Sequence, residues 1–119
     1  MAVPILKQGP FLIASIQSAL TDSDVLQLRD DVMAQVTRHR SRGIIVDVTA
    51  LDVMDSFVSR SLRSIAMMTR LRGAETVIVG IQPEVAFAMV QLGMSFEDVQ
   101  TALDLEEGLA LLQAGDLGA

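Results

Sequence analysis

The chain has 119 residues, 50% of them hydrophobic and 20% charged, with nine Lys and Arg against fifteen Asp and Glu and a formal charge of -6. A chain of this length forms one compact domain that buries roughly two thirds of its unfolded surface, and its acidic balance removes the counterion-release attraction behind most nucleic-acid binding. The absence of Cys, with four Phe as the only aromatic residues, excludes disulfides, thiolate catalysis, zinc fingers and the stacking platforms of single-strand binders.

Pro, Gly and charged residues interrupt every apolar stretch before the roughly 18 to 20 residues that span a bilayer. No membrane partner is expected, and without a basic-then-apolar leader the expected location is the cytoplasm. Val3–Leu6 and Phe11–Ile16 are short apolar runs flanking Lys7-Gln8-Gly9-Pro10, which predicts a β-hairpin. Thr21 with Asp24 three residues later is a capping pattern, and Val25, Leu28, Val32 and Val36 form the stripe of a helix from about Asp22 to Arg40, closed by Gly43. The only His, His39, lies in a basic tract that complements a helix C-terminus, which explains it better than a Ser/His/Asp triad.

Ile44–Val48 reads as a central strand buried on both faces, Thr49–Met54 as a loop, and Ser56–Arg72 as a second helix ended by Gly73. Thr76–Ile81 is a further buried strand, Pro83 opens a third helix that runs to Leu92, and Val99 falls in a last short strand. Asp104 with Glu107 starts a terminal helix through Leu112, leaving 114–119 as a frayed tail. The predicted fold is α/β: one domain over 1–119, a small mixed sheet with an N-terminal hairpin and parallel inner strands, and about four helices.

Enzyme signatures are missing. The chain contains no GxGxxG, GxxxxGKS/T or GxSxG, and Asp22, Asp24, Glu106 and Glu107 are first-turn acids that complement helix dipoles rather than a metal set. No catalytic residue, cofactor or metal is expected; a small nucleotide- or metal-dependent enzyme using Asp47, Asp52 and Asp55 around a divalent ion is the low-ranked alternative. Those three acids lie in the strand-loop-helix junction Asp47–Val58, at the carboxyl end of a central strand, where α/β proteins commonly dock ligands and partners. Asp55 is placed to cap the second helix and Asp47 to satisfy loop amides. Ser56 follows on the first helical turn, where phosphorylation would add about two negative charges, with Arg60 four residues on to pair with them. Ser59 is the second candidate acceptor, and Ser61 is expected to turn toward the core. Val58, Leu62, Ile65 and Thr69 form the sheet-facing stripe of this helix, whereas Phe57, Met67, Met68 and Leu71 fall on another side. That second stripe is either covered by neighbouring helices or an adaptable partner-binding surface, and Met89, Val90 and Leu92 extend either.

The segment Ile45-Val46-Asp47-Val48 followed by Val53-Met54-Asp55-Ser56 resembles the hallmark of STAS domains, the fold of the anti-sigma-factor antagonists. Asp55-Ser56-Phe57, Gly80-Ile81-Gln82-Pro83 with Val85-Ala86, and the run from Thr101 to Glu106 are similar to the stressosome branch of that family, the single-domain RsbS type. Phe57 and Val58 stand where many simple antagonists carry Ser-Gly. The resemblance implies a non-catalytic scaffold that self-associates, co-assembles with an RsbR-type STAS protein and holds an RsbT-type serine kinase. Phosphorylation of Ser56 by that kinase would release it to a downstream stress or secondary-messenger pathway, and an RsbX-type phosphatase would reset the switch. The alternative within the family is an antagonist that binds an anti-sigma kinase directly, with the same role for Ser56.

Overall fold

A computed structural model describes residues 2–118 of the chain. Its elements, in order, are β1 (Ile5–Gln8), β2 (Phe11–Ser15), α1 (Asp22–His39), β3 (Gly43–Asp47), α2 (Ser56–Leu71), β4 (Glu75–Val79), α3 (Pro83–Gln91), β5 (Gln100–Ala102) and α4 (Leu105–Gly118). The strands form one sheet in the order β1-β2-β3-β4-β5, with β1 antiparallel to β2 and all other neighbours parallel. This is the mixed sheet with four helices that the alternation of strand and helix patterns predicts.

Gln8 pairs with Phe11, so only Gly9 and Pro10 turn the hairpin. Gly9 has φ +60 and Pro fixes a negative φ after it, the sign pattern of a type II′ turn that matches the twist of its strands. On β2, β3 and β4, alternate residues point to opposite faces. Leu12, Ala14, Ile44, Val46 and Ile78 pack under the buried stripes of α1, α2 and α3. Phe11, Ile13, Ile45, Val77 and Val79 pack under Leu105, Leu109 and Leu112 of α4. Burial on both faces explains why the inner strands read as unbroken apolar runs. At its C-terminal end α2 is fixed to β4 by a buried hydroxyl pair, Thr69 to Thr76 at 2.8 Å.

Several boundaries differ from expectation: β1 covers Ile5–Gln8 rather than Val3–Leu6, β4 ends at Val79 rather than Ile81, and Val99 lies just before β5 rather than in it; two helix ends also shift. Helix α1 is closed not by Gly43 but by Arg40, which takes a left-handed conformation (φ 49, ψ 45). Gly43 instead begins β3, where a Cβ would lie 2.7 Å from Leu112 Cδ2, so a larger residue there would push the Leu112 side chain of α4 aside. Helix α4 continues past Leu112 to Gly118, held at that end by an Arg42–Asp116 ion pair at 3.2 Å; Ala119 lies outside the described residues. Among the described residues no helix is long and apolar enough to cross a membrane.

Candidate functional site

Because every helix here follows a parallel strand, all four helix N-termini gather at the carboxyl end of the sheet. The β3–α2 loop is built there from its own side chains. Asp47 Oδ1 accepts from the Thr49 backbone N–H at 3.0 Å and from its hydroxyl at 2.6 Å, closing an Asx turn at the strand end. Gln82 Nε2, from the next loop, donates to the Thr49 carbonyl at 2.6 Å. Gly80 has φ +80, and a Cβ on it would overlap the Thr49 hydroxyl. The loops after β3 and β4 are thus locked together, and the start of α2 rests on a fixed base.

Asp55 caps α2. Its backbone is extended (φ -79, ψ 174) and its Oδ1 accepts from the Val58 N–H at 2.8 Å. Asp55→Ala is expected to cost about 1 kcal/mol, while Asp55→Asn, which keeps the acceptor, stays near wild type. Urea unfolding of the two variants compares them directly; equal losses would show that the cap is not what Asp55 supplies.

Ser56 occupies the first position of α2 and is exposed. Ser59 is only 2% exposed, turned toward the sheet with Val58 and Leu62. Ser61, expected inward, is half-buried at the rim of a groove between α1 and α2 lined by Leu26, Arg29, Phe57, Arg60 and Ser64. Arg60 is exposed and takes part in none of the ion pairs found among the described residues. Asp52 is exposed, whereas Asp47 and Asp55 each spend an oxygen on the backbone. The three acids form no metal-binding group: among the described residues no set of three or more His, Asp or Glu side chains is placed to hold an ion.

The sheet-facing stripe of α2 is buried as its spacing predicts, with Val58, Leu62, Ile65 and Thr69 all inside. The second stripe divides. Phe57 packs partly against the main core, while Met67 is 56% and Leu71 87% exposed, with Met68 at the margin. Met89 is buried, but Val90 and Leu92 are open, and so are two residues the sequence reading passed over, Phe87 on α3 and Val53 on the site loop. Phe87 was recoverable: with Val85 and Met89 on the inner face, helical spacing puts residue 87 outside.

A family model described as STAS domain matches residues 2–108. Among curated proteins, the chain is 30% identical over 83 residues to the RsbT co-antagonist protein RsbRA of Bacillus subtilis (strain 168), covering 70% of this chain and 30% of that protein. It is 31% identical over 81 residues to the co-antagonist RsbRD of the same organism, covering 68% of this chain and 29% of that one. The chain therefore spans about 30% of the length of these relatives. Among solved structures, a Ser→Glu variant of RsbS from Moorella thermoacetica superposes with a TM-score of 0.81 at 34% identity, over 94% of this chain and 95% of that one. A chain from the molecular architecture of the stressosome, described as a signal integration and transduction hub, gives a TM-score of 0.76 at 31% identity, over 93% and 96% of the two chains.

Proposed function

This chain belongs to the STAS domain family, and we propose that it is a signalling scaffold of the stressosome type whose switch is Ser56. In this reading it assembles with an RsbR-type STAS protein and holds an RsbT-type serine kinase. The kinase leaves once it has phosphorylated Ser56, and an RsbX-type phosphatase restores the holding state. The domain itself performs no catalysis.

One observation carries the reading. Helices α1, α3 and α4 each place acids in their first turn, whereas α2 has none there and presents the exposed Ser56 hydroxyl instead. A phosphate at that position meets the positive end of the helix dipole, so α2 tolerates it without melting and the change is confined to surface charge. Asp55 precedes it in the chain and lines one hollow with the exposed apolar Val53, and the exposed Asp52 lies in the same loop. A partner resting on this apolar-acidic surface meets about two added negative charges, and like-charge contact costs several kcal/mol at an interface. A loss of about 1.4 to 4 kcal/mol weakens binding roughly 10- to 1,000-fold, which suffices for release.

Incubating the protein with an RsbT-type kinase and ATP, then mapping phosphate by mass spectrometry, tests the assignment. Ser56 is expected to carry it, Ser56→Asp to bind the kinase more weakly, and Ser56→Ala to retain it after ATP is added. Phosphate confined to Ser59 or Ser64, or release from the Ser56→Ala protein, would overturn the proposal.

A further inference from the structure

We propose that the groove between the ends of α1 and α2 binds a small diphosphate anion. It lies at the amino end of the sheet, where α1 passes into β3 and α2 into β4. Its walls include Thr37, Arg40, Ser41, Arg42, Arg72 and Gly73, around a space of about 260 Å³. Three arginines from two separate stretches of chain share this groove, and no Asp or Glu lines it.

Helix chemistry alone does not account for them. A helix C-terminus carries a partial negative charge that a cation in its last turn offsets. Arg38 and His39 occupy that place in α1 and Arg70 in α2, so the three groove arginines exceed that need. Arg40 and Arg72 are exposed and join none of the ion pairs among the described residues. Arg42 turns its Nε to Asp116 of α4 at 3.2 Å, which restrains its side chain. The chain as a whole carries -6, but at about 0.15 M salt charge is felt over only about 8 Å. An anion in the groove therefore meets the arginines and not the distant acids.

Ser41 points the same way by a separate route. It is only 5% exposed, and its hydroxyl makes no hydrogen bond among the described residues, whereas buried hydroxyls are ordinarily paired. No described side-chain polar atom is both fully enclosed and unpartnered, so this hydroxyl keeps an opening, and the groove that Ser41 lines supplies it. The backbone on either side is fixed: the Ser41 N–H donates to the Val36 carbonyl at 3.2 Å and the Arg42 N–H to the Pro10 carbonyl at 2.8 Å. Arg40 is also the one non-glycine residue at positive φ among the described residues. Glycine makes such a helix stop more readily, so the arginine side chain, not the turn, explains the residue.

Guanidinium forks match phosphate oxygens in pairs, and hydroxyls donate further bonds. The groove has room for roughly eight or nine waters, which accommodates two phosphate groups. No aromatic residue lines it, so nothing there stacks on a nucleobase. The site lies at the other end of α2 from Ser56 and holds or fails apart from the kinase reading above.

Calorimetric titration with inorganic pyrophosphate at constant ionic strength, without kinase or metal, provides the test. One saturable site tighter than about 1 mM is expected, with amide resonances of 37–42 and 72–73 shifting in NMR spectra. Arg72→Gln and Arg40→Gly should each weaken binding roughly 10- to 100-fold, and Ser41→Ala roughly 5-fold. Arg40→Gly should keep or raise the thermal midpoint, because glycine suits its backbone, and circular dichroism verifies the fold of each variant. Arg38→Gln, exposed but outside the groove, should bind as wild type does. Orthophosphate should bind more weakly than pyrophosphate, and ADP no more tightly. Absence of saturation in the millimolar range, an equal loss in Arg38→Gln and Arg72→Gln, unchanged binding in a folded Arg40→Gly protein, or tighter binding of orthophosphate or ADP would each overturn the proposal.

Discussion

Leu62→Ala is expected to remove about 2 to 5 kcal/mol of stability, the range for emptying a fully packed core position. Leu62 is 1% exposed on the inner stripe of α2, in the same cluster as Val58, Ile65 and the strand residues Ile44, Val46 and Ile78. Rigid strands beneath and α1 alongside leave little room for collapse, so the cavity persists and the cost falls toward the upper part of the range. The control is Leu71→Ala on the same helix. At 87% exposure it has no packing to lose, and its effect should stay within about 0.5 kcal/mol. Equilibrium unfolding in urea reads both, as a fall in midpoint at constant slope for Leu62→Ala. Similar losses for the two variants would mean that the inner and outer faces of α2 have been assigned the wrong way round.

Gly80→Ala should be nearly as damaging, through a different mechanism. The backbone at residue 80 sits at φ +80, which costs a residue bearing a Cβ about 1 to 2 kcal/mol. The added methyl also meets Thr49, and forcing atoms into an occupied site costs about 1 to 3 kcal/mol more. The combined loss is expected near 3 kcal/mol. Thr49→Ala separates the two contributions, since it deletes the obstructing hydroxyl at the expense of the Asp47 hydrogen bond. The double variant should therefore be less destabilised than the sum of the singles. Strict additivity in thermal or urea unfolding would show that the two loops do not press on one another. Because this junction supports the start of α2, the proposed function predicts that Gly80→Ala also lowers the rate at which an RsbT-type kinase modifies Ser56, and that Thr49→Ala added to it restores part of that rate.

Local signals account for much of the fold. The Thr21/Asp24 capping box, Asp55 as the cap of α2 and Pro83 at the start of α3 are all in place, because a cap depends on groups within one helical turn. Continuous apolar runs marked the inner strands, since a strand buried on both faces admits few polar side chains. Asp47 was legible as a loop acceptor and Ser56 as the first residue of a helix for the same reason: their partners lie two or three positions away in the chain.

Features that depend on distant residues were not legible. Gly43 has the local pattern of a helix stop, but it begins β3 close under Leu112 of α4, a contact between residues far apart in sequence. The phase of α2 was wrong at the serines, with Ser59 buried and Ser61 at a groove rim, because the direction from which the sheet and α1 approach decides which polar residue turns inward. The tie between Gln82 and Thr49 joins residues 33 apart in sequence.

Periodicity and capping chemistry, both short-range, thus established the helices, the strands, the hairpin and the residue that begins α2. The packing of four helices against one sheet then decided what those elements amount to together: which serine reaches solvent, which leucines are core and which are surface. It also collected acids scattered from Asp22 to Glu106 onto a single pole, because parallel strands bring every helix N-terminus to the same end and no local pattern encodes that end.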